Sequence, residues 1–239
     1  MSIILKTIID RQFYSLVDRG DTLLIENIQV ERCEFDFCGL CETIDINRRT
    51  TVRNVHINNC MIQNHTSIGP AILEDVFITD LKIQDLFILW DPLFKHVTLK
   101  GKIGDIKVNS VAGLNMDIKP EIQASFNAAK KLFYNNVNWA IDISEAKLRH
   151  LELWGVPSHL VRRDPESQVI VKRIKALQAN WREKLHPENT EWPHWIEMLL
   201  QFEEPDIILA APKALPRKKY EKLLDGLKDL REIGLAEPD

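Results

Sequence analysis

Apolar residues recur in this chain at offsets of 0, 2, 5, 7, 10 and 12, as in Val76, Ile78, Leu81, Ile83, Leu86 and Ile88. Neither a helix of period 3.6 nor a strand of period 2 produces that rhythm. Ile141, Ile143, Ala146, Leu148, Leu151 and Leu153 repeat it. A longer period is superimposed, because Val55/Ile57, Val76/Ile78 and Val97/Leu99 stand 21 residues apart. Ile28, Val30, Cys33 and Phe35 match Val55, Ile57, Cys60 and Ile62 at a shift of 27, with the extra residues in the loop DINRRT. Periods of about 20 to 30 residues indicate a solenoid, in which a unit too small to bury its own apolar face stacks on its neighbour. Asn27, Asn54, Asp75, Asp80, Asp85 and Asp105 each precede an apolar pair. Asn and Asp tolerate left-handed backbone, so these six are expected at corners between short bridges.

On these residues the chain resembles the pentapeptide-repeat family, over roughly 25–110 and 137–155. The resemblance implies a right-handed parallel β-helix whose repeat places a small residue two before a central Leu or Phe. Ala146-Lys147-Leu148 fits that unit, whereas elsewhere the small position holds Val, Ile or Leu. Bulky residues at both positions do not fit a tight square cross-section, so a wider, three-faced β-helix stands as the alternative to a four-sided one.

Three of the four cysteines lie in CEFDFCGLC, at the spacing of Cys33, Cys38 and Cys41. That spacing admits a structural zinc site or an iron–sulfur cluster. The repeat offers a simpler role, because it sets Cys33 and Cys60 on one inward column, where a free cysteine acts as a small hydrophobe. No metal and no cofactor are expected.

Ile122, Phe126, Ala129 and Phe133 recur at helical spacing, which predicts a helix near 120–135 inserted in the solenoid. After LWGVP the five-residue rhythm stops. The expected division is therefore a solenoid over 1–160 and a helical region over 161–239. In the second part Ile170, Ile174, Leu177, Trp181 and Leu185 form one stripe after Asp164-Pro165. A second helix is expected from Thr190 and a third along Tyr220, Leu223, Leu224, Leu227 and Leu230.

Charge excludes more than it identifies. The chain carries 31 basic and 35 acidic residues, with no basic stripe for nucleic acid and no acidic face to mimic DNA. The apolar run at the start is broken by Lys6 and Asp10, and no stretch approaches the roughly 20 apolar residues of a membrane span. A cytoplasmic protein with no membrane partner is expected. A carbohydrate-acting β-helix enzyme is one reading, but Asp75, Asp80 and Asp85 stand on successive corners, where carboxylates diverge. The preferred reading is a non-catalytic protein of the inhibitor or immunity type, which binds a protein partner or a second copy through the solenoid's lateral face. His56, Phe77 and Thr98 form an outward column in the 21-residue register, and Phe87 and Trp90 are expected to add apolar contacts on another face.

Overall fold

The 21-residue period becomes strand register: His56 lies opposite Phe77, and Phe77 opposite Thr98. The computed structural model describes residues 6–113, 118–185 and 191–237. It divides into two units, Met1–Arg162 and Arg163–Asp239. The first is mainly β, with 15 strands in one hydrogen-bonded system whose pairings are all parallel among the described residues. Its longest ladder joins Lys6–Ile9, Leu24–Glu31, Thr51–Asn58, Ile72–Ile83, Val97–Asn109 and Ala146–Leu153. A second joins Gln12–Tyr14, Glu34–Asp36, Met61–Gln63 and the end of Ile72–Ile83. A third joins Gly39–Leu40, Ser67–Ile68, Phe87–Trp90 and the end of Val97–Asn109.

Left-handed corners recur at five-residue steps, within the longest ladder and between it and the second. Asn27, Asn54, Asp75 and His96 have φ of 58°, 50°, 51° and 56°, and Asp10, Arg32, Asn59 and Asp80 have φ of 52°, 49°, 51° and 51°. Four of the six expected Asn and Asp corners thus adopt this backbone, whereas Asp85 and Asp105 do not. Arg32, Phe37 and His96 adopt it without the local side-chain bonding that favours Asn and Asp, at about 1–2 kcal/mol each. The ladders on either side offset that strain. Corner side chains also bond from rung to rung, as where Asn54 Nδ2 donates to Asn27 Oδ1 at 2.7 Å and Asn64 Nδ2 to Asp36 Oδ1 at 2.7 Å.

Interior columns follow from the same register. Lys6 is opposite Ile28, Ile28 opposite Val55, and Val55 opposite Val76. Val55 and Val76 are buried, while Lys6 is exposed. In the next column the Arg11 amide donates to Cys33 Sγ at 3.4 Å and the Cys33 amide to Cys60 Sγ at 3.3 Å. Arg11 too is exposed, above two buried cysteines.

The inserted helix α1 spans Pro120–Tyr134, with proline in its first turn. Phe126 is wholly buried on it. Arg49 packs over the Phe126 ring, 4.9 Å from its centroid. Arg49 Nη2 donates to Asp91 Oδ2 at 3.3 Å, and Lys130 of α1 closes a second ion pair on Asp91. Tyr134 Oη accepts from the Phe94 amide at 3.3 Å. Burial pushes the Arg49 pKa down against the pull of Asp91, and pushes the Tyr134 phenol up. The inserted helix is thereby joined through buried charge to the loop residues Arg49 and Asp91, and through Tyr134 to the strand at Phe94.

The second unit departs from the all-helical expectation. Gln168–Lys172 is a strand, antiparallel to Asp206–Ala210. Val169, Ile170 and Val171 form a β-branched run whose χ1 stiffness favours extended backbone, and all three are buried. The expected stripe from Ile170 to Leu185 is therefore cut into a strand, α2 (Arg173–Gln178) and α3 (Trp181–Lys184), with Ile174 and Leu177 exposed. Thr190 lies outside the described residues, and α4 spans Trp192–Gln201. Helix α5 spans Arg217–Glu232 and buries Leu223, Leu227 and Leu230. Trp192 Nε1 donates to the Leu223 carbonyl at 3.1 Å, tying α4 to α5. No helix among the described residues is long and apolar enough to cross a membrane.

Candidate interaction face

Parallel pairing turns one outward position of each rung into a straight column. Thr7, Gln29, His56, Phe77, Thr98, Asp142 and Arg162 lie opposite one another in succession. Three of the residues singled out in the sequence, His56, Phe77 and Thr98, are adjacent here. The His56 and Phe77 rings meet edge to face with centroids 4.9 Å apart. Phe77 is 43% exposed, while His56 and Thr98 are half-buried. A phenyl ring so exposed on a rigid ladder forfeits about 1–2 kcal/mol of burial that a partner could supply.

Phe87 does not contribute to any such surface. Strand alternation along Phe87–Trp90 turns Phe87 and Leu89 inward, at 6% and 5% exposure, and leaves Trp90 half-buried opposite Asn109. The expectation of a second apolar face at Phe87 is thus corrected by the period of two within the strand.

The column gains a neighbour that the repeat pattern did not announce. At the adjoining corner His96 Nδ1 lies 3.0 Å from Asp75 Oδ1, and its Nε2 lies 2.7 Å from Asn138 Oδ1. The His96 ring also meets Trp139, with centroids 4.8 Å apart, and the Arg162 guanidinium sits 4.1 Å from the Trp139 ring centroid. Trp139 and Arg162 escaped the sequence reading because α1 interrupts the period. Val97 is opposite Ile141 at a separation of 44 residues, and Ile141 opposite Val161 at 20. Continuing the apolar pair Ile141/Ile143 past the insertion was the one signal that led there.

The cysteines occupy a repeated structural place. The thiols of Cys33, Cys38 and Cys60 each donate to the carbonyl two residues earlier, at 3.3, 3.4 and 3.4 Å. Burial pushes the Cys41 and Cys60 thiols up, the direction opposite to that of a metal-binding or nucleophilic thiolate. Among the described residues no three His, Cys, Asp or Glu side chains gather as a metal site.

The carboxylates show where catalysis would have to start. Asp75 faces His96, and Asp80 Oδ1 accepts from the Lys102 amide at 2.7 Å, so these two acids serve separate corners. Glu152 is strongly displaced: burial works upward on its pKa, but His150, Lys107 and Trp154 outweigh it and hold it down to about 2. A sugar-cleaving general acid needs the opposite displacement.

Glu152 also carries a pH prediction. Its folded pKa lies below the ordinary 4.5, so its contribution to stability is complete above about pH 4.5 and is lost as pH falls towards about 2. Glu152→Gln is expected to lower stability at neutral pH and to flatten the acid limb between those values. Chemical denaturation midpoints measured from pH 2 to 7 test this, and an unchanged acid limb in the variant would contradict it.

Comparison with known proteins finds no matching family model, no similar curated protein and no similar solved structure.

Proposed function

We propose that the parallel ladders of the first unit close into a right-handed, pentapeptide-repeat-like β-helix, and that the protein is a non-catalytic interaction protein. Its lateral column at His56, Phe77 and Thr98 receives a protein partner, in the manner of an inhibitor or an immunity-type binder. The observation that carries this reading is the exposed Phe77 ring, braced by His56 within a hydrogen-bonded ladder. A rigid backbone holds such an anchor in place before binding, so little ordering entropy opposes the contact. The four cysteines are free, which suits a reducing, cytoplasmic setting.

Phe77→Ala separates the face from the core. On an open face, truncation shifts unfolding free energy by no more than about 0.5 kcal/mol. A contact at a hot spot, by contrast, loses about 2 kcal/mol or more. The measurement is photo-crosslinking from a probe amino acid placed at Thr98, in cells, with and without Phe77→Ala. A discrete protein adduct that disappears in the variant, with the thermal midpoint unchanged, is the expected result. A large fall in midpoint with the adduct pattern unaltered would assign Phe77 to stability and remove the proposal.

A further inference from the structure

We infer that the segment this face receives is an extended acidic peptide, with a carboxylate for Arg162 and, four residues away along its chain, a large apolar side chain for Phe77. The inference rests on the interaction face proposed above and adds the chemistry of its occupant.

Arg162 differs from five other arginines of the first unit and, unlike the exposed Arg11, is stacked on an indole ring. Arg32, Arg48, Arg49, Arg53 and Arg149 are paired with Asp10, Asp21, Asp91, Glu74 and Asp105. Arg162 is exposed and makes no ion pair among the described residues, although Asp142 stands opposite it in the ladder. The Asp142 carboxylate is bonded instead to the Ser144 amide at 3.0 Å and the Ser144 hydroxyl at 2.6 Å. What holds Arg162 is the face of Trp139. Trp139 is itself fixed, since its carbonyl accepts from the His96 amide at 3.3 Å and its amide donates to Asn138 Oδ1 at 3.1 Å.

A guanidinium stacked by its face keeps its N–H donors, which lie in the plane of the group, for other acceptors. Its preferred acceptor is a carboxylate, which it can engage with two parallel bonds. Thr7, Gln29, Phe77 and Thr98 bring no charge to the column and the Asp142 carboxylate is engaged by Ser144, so the cationic contact is at the Arg162 end and the apolar contact lies at Phe77. Between them are three rungs, from Phe77 to Thr98 to Asp142 to Arg162. At about 4.8 Å per rung this is about 14 Å, and an extended chain rising about 3.3 Å per residue covers it in four residues. A peptide lying along the column, across the strands, thus meets both contacts when its apolar and acidic residues are four apart.

The test is selection of a displayed library of random dodecapeptides on the immobilised full-length protein. Enriched peptides are expected to carry Asp or Glu four positions from Phe, Tyr, Trp or Leu. A synthetic copy of the leading peptide should lose at least tenfold in affinity with Arg162→Gln and with Phe77→Ala. Arg162→Lys, which keeps the charge without the planar fork, should recover only part of that loss. Both positions are exposed, and unchanged thermal midpoints exclude misfolding as the cause. Peptides that depend on Phe77 but carry no acid would leave the interaction face standing and overturn this inference. So would an acidic peptide whose affinity is indifferent to Arg162→Gln. Failure to enrich any peptide that depends on Phe77 or Arg162 would count against both proposals.

Discussion

Asp91→Ala is expected to cost the protein about 3–5 kcal/mol, enough to unfold much of a marginally stable population. The Asp91 side chain is fully buried, accepts from Arg49 and is ion-paired with Lys130, and the side chains of these two cations are only 7% and 12% exposed. Removing the carboxylate leaves two cations in an interior where little else can answer them, and Arg49 Nε already lacks a hydrogen-bond partner. The loss therefore reflects stranded charge rather than the net worth of the pairs. The triple change Asp91→Leu, Arg49→Met and Lys130→Met should recover most of it, because apolar groups of similar volume need no counter-charge. Urea unfolding of the single and triple variants measures both terms. A single-variant loss below about 1 kcal/mol would mean that water reaches these groups on opening of α1.

Trp192→Ala should be comparably damaging in the second unit, at about 3–5 kcal/mol. Trp192 is 2% exposed, so truncation opens a cavity between α4 and α5. It also deprives the Leu223 carbonyl of its indole donor. Trp192→Phe refills most of the cavity but not the hydrogen bond, and should cost about 1–2 kcal/mol. Near-UV circular dichroism with denaturant titration separates the two variants. Equal losses would show that the hydrogen bond, not the packing, holds α4 to α5.

The register of the first unit was legible because a ladder repeats one geometric step. Val55 to Val76 and Phe77 to Thr98 are pairings that can be counted in the sequence before any coordinates are known. Asn27, Asn54, Asp75 and Asp80 were legible as corners for a chemical reason, since their side chains ease left-handed backbone. Arg32, Phe37 and His96 occupy the same backbone without that mark, so only their place in the count reveals them. Phe87 was misplaced because its exposure depends on which way a four-residue strand alternates, and a one-residue slip reverses every side chain. Gln168–Lys172 was misplaced because Ile170 and Ile174 also satisfy helical spacing, and pairing with the distant Asp206–Ala210 decided between the two. Half of the candidate site lay beyond reach for a third reason. Trp139 and Arg162 join the column only across α1, where the count resumes at a different step.

The two exposed cations at the head of the interior columns bear on how the protein behaves in a crowd. Each rung of a parallel ladder offers its neighbour the surface that the neighbour offers the next, so docking one molecule's rung onto another's is a head-to-tail contact with no closing symmetry, and such contacts propagate into fibres. Lys6 and Arg11 stand where deeper rungs place valine and cysteine. A second molecule settling on this edge would have to strip water from an ammonium and a guanidinium that make no ion pair among the described residues, a penalty of several kcal/mol that no facing column of Val and Cys offsets. The same pair of residues that looks like a flaw in the repeat thus opposes end-to-end stacking of one ladder on another at this edge.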